Sequence, residues 1–215
     1  MQEATVLIPA HNEERTVGEV VAVARAAGFP VVVADDGSQD ATAERARAAG
    51  AKVVRLEKNQ GKGGAYAAGL KTVKTPFVIL LDADLVGLSP AHLRTLLEPV
   101  AQGEADMTVG IFKGGRLFTD LGNRLTPFLS GQRALRTARL ASVPGLASAR
   151  YDVELLLTRT AKVEGWRVRY LPLKGLSQVM KEEKRGFLAG LLHRLRMYKE
   201  VLRYALRGGR KPQGR

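Results

Sequence analysis

Two carboxylates separated by a single residue, Asp82 and Asp84, follow the apolar run 77–81, where a buried strand is expected to end. Such a pair can hold a hard divalent cation together with a diphosphate, because these cations prefer oxygen ligands and accept phosphate oxygens among them. On a continuing strand both side chains would point to one face, so they lie close together in either arrangement. A solvated acidic turn or a helix cap is the competing interpretation.

A second acidic pair, Asp35 and Asp36, follows the apolar run 31–34. At a strand end, these acceptors could pair with a nucleobase or a ribose. Ser38 or Asp40 can cap the helix that follows, and capping with turn formation is the alternative role of this segment.

A glycine-rich segment at 59–64 precedes a third predicted helix and contains Lys62. Glycines let backbone amides approach an anion at a helix N-terminus, and the lysine adds a point charge. The spacing differs from that of a P-loop, and an ordinary glycine-rich turn is the alternative.

The elements that must position these residues alternate strand and helix along the first half. Apolar runs predict strands at 5–8, 31–34, 52–56, 77–81 and 106–112, with helices between them, the first from Asn12 or Glu13. This order predicts a doubly wound α/β sheet whose ligands bind at the carboxyl ends of the strands. In the second half we expect a helix within 113–145, a helix at 151–161, a strand at 166–171 and a long helix at 186–206.

Four ordered motifs, PAHNE at 9–13, DDGSQDAT at 35–42, NQGKGGA at 59–65 and LLDADL at 80–85, resemble those of the family 2 glycosyltransferases. The resemblance covers roughly residues 4–112. It implies the GT-A fold, a Rossmann-like, doubly wound mixed sheet with helices on both faces. It also implies a nucleotide-sugar donor, a UDP-sugar more than a GDP-sugar, with Mg²⁺ or Mn²⁺ bound to its diphosphate. By position, the implied donor-binding residues are Pro9, His11, Glu13, Asp35, Asp36, Lys62 and Asp82, and the implied metal ligands are Asp82 and Asp84.

The acceptor side resembles particular members of this family. Segment 151–156, YDVELL, is similar to a segment of polyprenyl-phosphate and dolichyl-phosphate sugar transferases, which implies Asp152 or Glu154 as the catalytic carboxylate. Alternatively, Asp152 caps a helix and Glu154 is a surface position. Segment 130–136 is similar to a stretch in small bacterial relatives, which implies that Arg133 or Arg136 contacts an acceptor phosphate. Solvated arginines on a helix are the alternative. Where many such enzymes carry a metal-binding histidine, this chain has Gln178, which could bind a metal weakly.

Charge is unevenly distributed in this chain of 215 residues, which carries 34 Lys and Arg against 21 Asp and Glu. Residues 1–110 have a net charge of −3 and residues 111–215 a net charge of +16.

The helix expected at 186–206 is amphipathic and basic, and a basic disordered tail is expected at 207–215. This profile is typical of a helix that lies on an anionic membrane surface, although its apolar stripe could instead pack on the sheet. No apolar run is long enough to span a membrane, so we expect a peripheral protein at the cytoplasmic face of the plasma membrane.

Together these features predict a metal-dependent, inverting glycosyltransferase with a polyprenyl-phosphate-type lipid acceptor. We expect one domain over residues 1–206, with a donor half at 1–112 and an acceptor half at 113–206. Transfer to a soluble anionic acceptor such as a phosphoglycerate-like acid, or an inactive nucleotide-binding protein of the same fold, are the alternatives. A nucleic-acid-binding module is disfavoured, because only 6% of the residues are aromatic and no reading motif is present. The absence of cysteine excludes disulfides and thiol catalysis.

Overall fold

The computed structural model describes residues 3–113, 129–150 and 152–178. These residues belong to one compact unit. The helix expected at 186–206, the tail at 207–215 and the domain boundary at 206 lie outside the described residues. None of the described helices is long and apolar enough to cross a membrane.

Strands and helices alternate through the first half of the chain. They are β1 (Ala4–Ala10), α1 (Val17–Ala26), β2 (Val31–Asp35), α2 (Thr42–Ala48), β3 (Lys52–Arg55), α3 (Lys62–Leu70), β4 (Phe77–Leu80), β5 (Leu85–Val86), α4 (Pro90–Ala101) and β6 (Met107–Lys113). The later elements are β7 (Arg133–Arg136), α5 (Thr137–Ala141), a 3-10 helix (Leu146–Ser148), α6 (Val153–Val163), β8 (Val168–Lys174) and β9 (Ser177–Gln178).

Seven strands form one mixed sheet in the order β3-β2-β1-β4-β7-β6-β8. The strands β1 to β4 pair in parallel, β7 is antiparallel to both of its neighbours, and β6 pairs in parallel with β8. A second, two-stranded sheet joins β5 to β9. The predicted doubly wound mixed sheet is confirmed.

Both faces of the sheet are covered by helices, as predicted. On β1, Val6 and Ile8 pack in one apolar cluster with α1 and α4, whereas Leu7 packs in a second cluster with α3 and α6. Successive strand residues point to opposite faces, so a run buried on both sides is continuously apolar.

Two predicted elements differ from the structure. The first helix begins at Val17 rather than at Asn12 or Glu13, because Asn12 has a left-handed backbone with φ 57° that cannot continue into a helix. The central strand β7 was not predicted within 113–145, where only a helix was expected. Its four residues are too few to show a strand period in the sequence.

Candidate active site

The loops after β1 and β2 bind each other at the carboxyl edge of the sheet. The backbone amide of Asn12 donates to Ser38 Oγ at 3.0 Å, and Asn12 Oδ1 accepts from the amide of Gln39 at 2.9 Å. The amide of Glu13 donates to Thr42 Oγ1 at 2.7 Å. These bonds hold Asn12 in its left-handed conformation and keep the PAHNE loop in one position.

His11 is also held within this loop pair. Its Nδ1 donates to the backbone carbonyl of Asp36 at 2.8 Å, and its Nε2 accepts from Asn12 Nδ2 at 3.3 Å. Both ring nitrogens are thus used inside the protein, which leaves the ring face as the part that a ligand could contact.

Asp35 and Asp36 have different surroundings. The carboxylate of Asp36 accepts from the amides of Gln60 at 2.7 Å and Gly61 at 2.8 Å, and so orders the glycine-rich segment before α3. Asp35 is fully buried, and its Oδ1 accepts from the amide of Ser38 at 3.0 Å. Its Oδ2 accepts no hydrogen bond from the described residues, although Arg55 Nε lies 3.3 Å away in an ion pair. This oxygen thus has unused hydrogen-bonding capacity, but it is buried.

Lys62 lies between two carboxylates that come from different halves of the chain. Its Nζ donates to Asp82 Oδ1 at 2.5 Å and makes a very short ion pair with Glu154 Oε1. All three side chains are at most 23% exposed. Burial alone would lower the pKa of the Lys62 ammonium, but the charges of Asp82 and Glu154 outweigh burial and hold that pKa well above its usual value.

Two glutamine amides hold the other oxygen of Asp82. Its Oδ2 accepts from Gln178 Nε2 at 2.6 Å and from Gln132 Nε2 at 2.7 Å. A Cβ added to Gly131 would lie 2.6 Å from both carboxylate oxygens, so this position requires glycine. Gln132 is a site residue that the sequence does not predict, since a glutamine beside a glycine carries no recognisable signal.

The carboxylates of Asp82 and Asp84 are the predicted metal ligands, and Asp84 is buried at 8% exposure. Within the described residues, no three His, Cys, Asp or Glu side chains are grouped so that they could hold a metal ion. Mg²⁺ often uses one or two carboxylates and completes its shell with water and substrate phosphates. A cation held by these two carboxylates alone would therefore need water and the phosphates of a bound diphosphate to complete its shell.

The predicted catalytic carboxylates, Asp152 and Glu154, lie in different positions. Glu154 is in the first turn of α6 and contacts Lys62. Asp152 occupies the N-cap position of the same helix, is exposed and makes no side-chain capping bond. The structure thus brings Glu154, and not Asp152, into contact with the Lys62–Asp82 pair.

The two arginines predicted to bind the acceptor, Arg133 and Arg136, lie at opposite ends of β7. Arg133 is fully buried, and its guanidinium donates to the backbone carbonyls of Ser130 and Glu154. Arg136 is exposed but pairs with Phe77 in the strand register, and its guanidinium lies 5.2 Å from the Phe77 ring centre. Since β7 runs antiparallel to β4, its last residue lies at the end of β4 remote from Asp82, about 10 Å along the strand from Arg133.

The chain is similar to several known proteins. The family model for glycosyl transferase family 2 matches residues 5–160. An uncharacterized protein of Methanocaldococcus jannaschii is 31% identical over 197 residues, which cover 80% of this chain and 81% of that protein. The undecaprenyl-phosphate 4-deoxy-4-formamido-L-arabinose transferase of Pseudomonas paraeruginosa is 37% identical over 111 residues, or 46% of this chain and 32% of the enzyme.

A solved structure resembles a larger part of the chain. Glucosyl-3-phosphoglycerate synthase from Mycobacterium tuberculosis, in complex with Mn²⁺, uridine diphosphate and phosphoglyceric acid, superposes with a TM-score of 0.69 and 28% identity. The match covers 90% of this chain and 78% of that chain. By contrast, the chain spans only about a third of the length of the Pseudomonas enzyme. The predicted GT-A fold is confirmed by this likeness.

Proposed function

The chain belongs to glycosyl transferase family 2 and is a glycosyltransferase, and from this premise we propose that it transfers a sugar from a UDP-sugar to a phosphate-bearing acceptor with inversion. The observation that carries the proposal is Lys62, whose ammonium joins Asp82 of the donor half to Glu154 of the acceptor half. A single cation at the boundary between the two halves is well placed to contact both substrates.

The donor would bind along the carboxyl ends of β1, β2 and β4. Asp35 Oδ2 is buried and accepts no hydrogen bond from the described residues, so it would bond to the base or the ribose once the donor displaces the atoms that cover it, and His11 offers its ring face. Pro9 and Glu13 would line the same edge. The mycobacterial neighbour was solved with uridine diphosphate, which supports a UDP-sugar over a GDP-sugar.

A divalent cation, Mg²⁺ or Mn²⁺, would be held by Asp84 and Asp82 together with the donor diphosphate. When bound, such an ion neutralises charge on the leaving diphosphate. Asp82 is already held at both oxygens, so its direction is set before substrates bind. A carboxylate fixed in this way can orient the donor at low entropic cost.

Glu154 would act beside the acceptor. Inversion requires the nucleophile on the face of the sugar opposite the diphosphate, so the acceptor must enter from the α6 side. A hydroxyl acceptor would need Glu154 as a general base, whereas a phosphate acceptor is already anionic and would need chiefly the positive charge of Lys62.

Among phosphate-bearing acceptors, the favoured one is a polyprenyl phosphate at the cytoplasmic membrane face. Support comes from the similarity to an undecaprenyl-phosphate sugar transferase and from the net charge of +16 in residues 111–215. A soluble phosphoglycerate-like acid is the second candidate. It is favoured by the match to the phosphoglycerate-bound neighbour, which extends over 90% of this chain.

Donor and cation binding can be tested by calorimetry with UDP and Mn²⁺. We expect Asp84→Asn to weaken UDP binding at least tenfold in the presence of Mn²⁺ and to abolish the dependence on the ion, because one of two carboxylate ligands is lost. Glu57→Gln, at an exposed position, serves as the matched control and should bind like the wild type. A Mn²⁺-dependent affinity that survives in Asp84→Asn would contradict the assigned metal site.

The acceptor can be identified with radiolabelled UDP-glucose, UDP-galactose and UDP-N-acetylglucosamine. Each donor is incubated with undecaprenyl phosphate in detergent or with 3-phosphoglycerate, and the label is followed into lipid or into an acidic product. Label in the lipid supports the favoured acceptor, and label in the soluble product supports the second candidate. UDP release that neither acceptor increases, with all three donors bound, would contradict both.

A further inference from the structure

We infer that Arg133 is a positioning residue for the reaction. Its buried guanidinium bonds both the loop that carries Gln132, a partner of Asp82, and the backbone of Glu154, a partner of Lys62, and so holds the two in one arrangement. This inference rests on the proposed function, because it concerns how Glu154 and Asp82 are aligned for transfer. It also gives Arg133 a role other than the direct acceptor contact that the sequence suggested.

The contacts of Arg133 join two separate segments. Its Nε donates to the backbone carbonyl of Ser130 at 2.9 Å, in the loop that carries Gln132. Its Nη2 donates to the carbonyl of Glu154 at 3.1 Å and to Thr158 Oγ1 at 3.2 Å, both on α6. Thr158 Oγ1 itself donates to the Glu154 carbonyl at 2.8 Å. The guanidinium therefore joins the loop before β7 to the first turns of α6.

These contacts close a ring of polar bonds around the site. The Ser130 hydroxyl lies 2.9 Å from Gln132 Oε1 and 2.5 Å from the Gly110 carbonyl, two acceptors for its one proton, and Gln132 Nε2 donates to Asp82. Lys62 joins Asp82 to the side chain of Glu154, whose carbonyl returns to Arg133. A displacement of Arg133 would thus move both groups that flank Asp82.

The choice of arginine has a physical reason. Burying a cation is costly unless its hydrogen bonds are satisfied. The hydrogen bonds of the fully buried Arg133 guanidinium are therefore needed to offset that cost. Arginine donates in fixed directions from a planar fork, and it can therefore bond Ser130 on one side and α6 on the other. A lysine would keep the charge but would lose this geometry.

The test compares Arg133→Lys, Thr158→Val and the control Arg159→Gln, which changes an exposed arginine on the same helix. Transfer with a UDP-sugar and Mn²⁺ gives kcat and KM, and calorimetry gives the Kd of UDP with Mn²⁺. We expect Arg133→Lys to lower kcat at least tenfold and Thr158→Val to lower it about threefold. The Kd of UDP should stay within about threefold in both, and the control should behave like the wild type.

A double variant distinguishes a positioning role of Arg133 from a nonspecific disruption of the structure. If Arg133 acts largely through Glu154, Arg133→Lys should slow the Glu154→Gln variant much less than it slows the wild type, because one of the aligned groups is already missing. Wild-type kcat in Arg133→Lys, or full additivity in the double variant, would overturn the inference. If Arg133→Lys does not fold, the same cycle with Thr158→Val decides.

Amide hydrogen exchange separates this inference from the proposed function. If wild-type protein binds no UDP with Mn²⁺, the proposed function fails, but the alignment of α6 can still be measured. We expect the amides of 156–158 to exchange at least tenfold faster in Arg133→Lys than in Arg159→Gln. Equal exchange in the two variants would overturn the positioning role whatever the enzyme transfers.

Discussion

Lys62 is the residue on which the proposed chemistry depends most. It separates the carboxylates of Asp82 and Glu154, which would otherwise face each other as like charges. Such like charges repel, and the ammonium between them offsets that repulsion. The lysine therefore holds both carboxylates at one place.

Replacing this lysine should affect catalysis more than folding. We expect Lys62→Met to lower transfer at least 100-fold, because both carboxylates lose their common partner and the substrates lose a positive contact. Lys71→Met, at an exposed position on the C-terminal side of α3, is the matched control and should retain activity. Steady-state kinetics on folded, monodisperse protein provides the measurement. Activity within tenfold of wild type would argue against a substrate contact for Lys62.

The same site should make stability sensitive to alkali. The pKa of Lys62 is raised in the folded state by its two carboxylate partners against the opposing effect of burial, and burial raises the pKa of the Tyr66 phenol. In the range above about pH 10, where both groups lose protons in the unfolded chain, the folded protein still binds them. The free energy of unfolding must therefore fall as pH rises through this range, and it is unaffected by these groups below it.

Urea unfolding at a series of alkaline pH values checks this expectation. Tyr66→Phe should reduce the slope of the unfolding free energy against pH above about pH 10, because it removes one of the groups that titrate differently in the two states. The slope below about pH 9 should not change. An identical alkaline slope in wild type and Tyr66→Phe would show that the phenol titrates alike in both states.

At the scale of elements, the loop before β7 determines where Asp82 can point. Gly131 packs against the Asp82 carboxylate so closely that a methyl group cannot be added without displacement. Gln132 follows it and donates to the same carboxylate. The antiparallel strand β7 thus delivers two consecutive residues to the end of the parallel strand β4.

A single methyl group tests this arrangement. We expect Gly131→Ala to weaken UDP binding in the presence of Mn²⁺ at least tenfold, because Asp82 must move away from its position. Gly18→Ala adds the same methyl group in α1, where the nearest atom is 3.8 Å away, and it should leave binding unchanged. Calorimetry on both variants provides the comparison. Unchanged affinity in Gly131→Ala would mean that Asp82 does not contact the donor or its cation.

At the scale of the whole molecule, the uneven charge distribution favours a polyprenyl phosphate over a soluble phosphoglycerate-like acid as the acceptor. A net charge of +16 in residues 111–215 would attract anionic lipid, since each basic side chain near such a surface contributes about 1 kcal/mol. The donor half, with a net charge of −3, has no such attraction. This difference in net charge between the two halves would then orient the acceptor half toward the membrane.

Vesicle co-sedimentation tests this orientation with the full chain. We expect binding to vesicles that contain phosphatidylglycerol, no binding to phosphatidylcholine vesicles, and release as ionic strength rises, because screening weakens attraction to surface charge. Truncation after Lys184 removes much of the basic segment and should abolish binding. Equal binding to both kinds of vesicle, or none, would favour the soluble acceptor.

Much of the fold could be predicted because its signals are local. The continuous apolar runs of β1, β2 and β4 belong to strands covered on both faces, and each ends where a polar motif begins. The start of α1 could not be predicted in this way. The left-handed Asn12 is stabilised by bonds to Ser38 and Gln39, residues that local sequence does not connect to it.

The amino-acid sequence by itself determined the doubly wound architecture, the family resemblance and the set of carboxylates at the sheet edge, since periodicity and short motifs are properties of neighbouring residues. Only the tertiary structure decided which residues meet there. Lys62 and Glu154 are 92 positions apart, and Gln178 and Asp82 are 96 apart. The register of β7 also places Arg136 far from Asp82. It buries Arg133 where its guanidinium donates to the Glu154 carbonyl. Such pairings depend on strand order and direction, which no local pattern encodes.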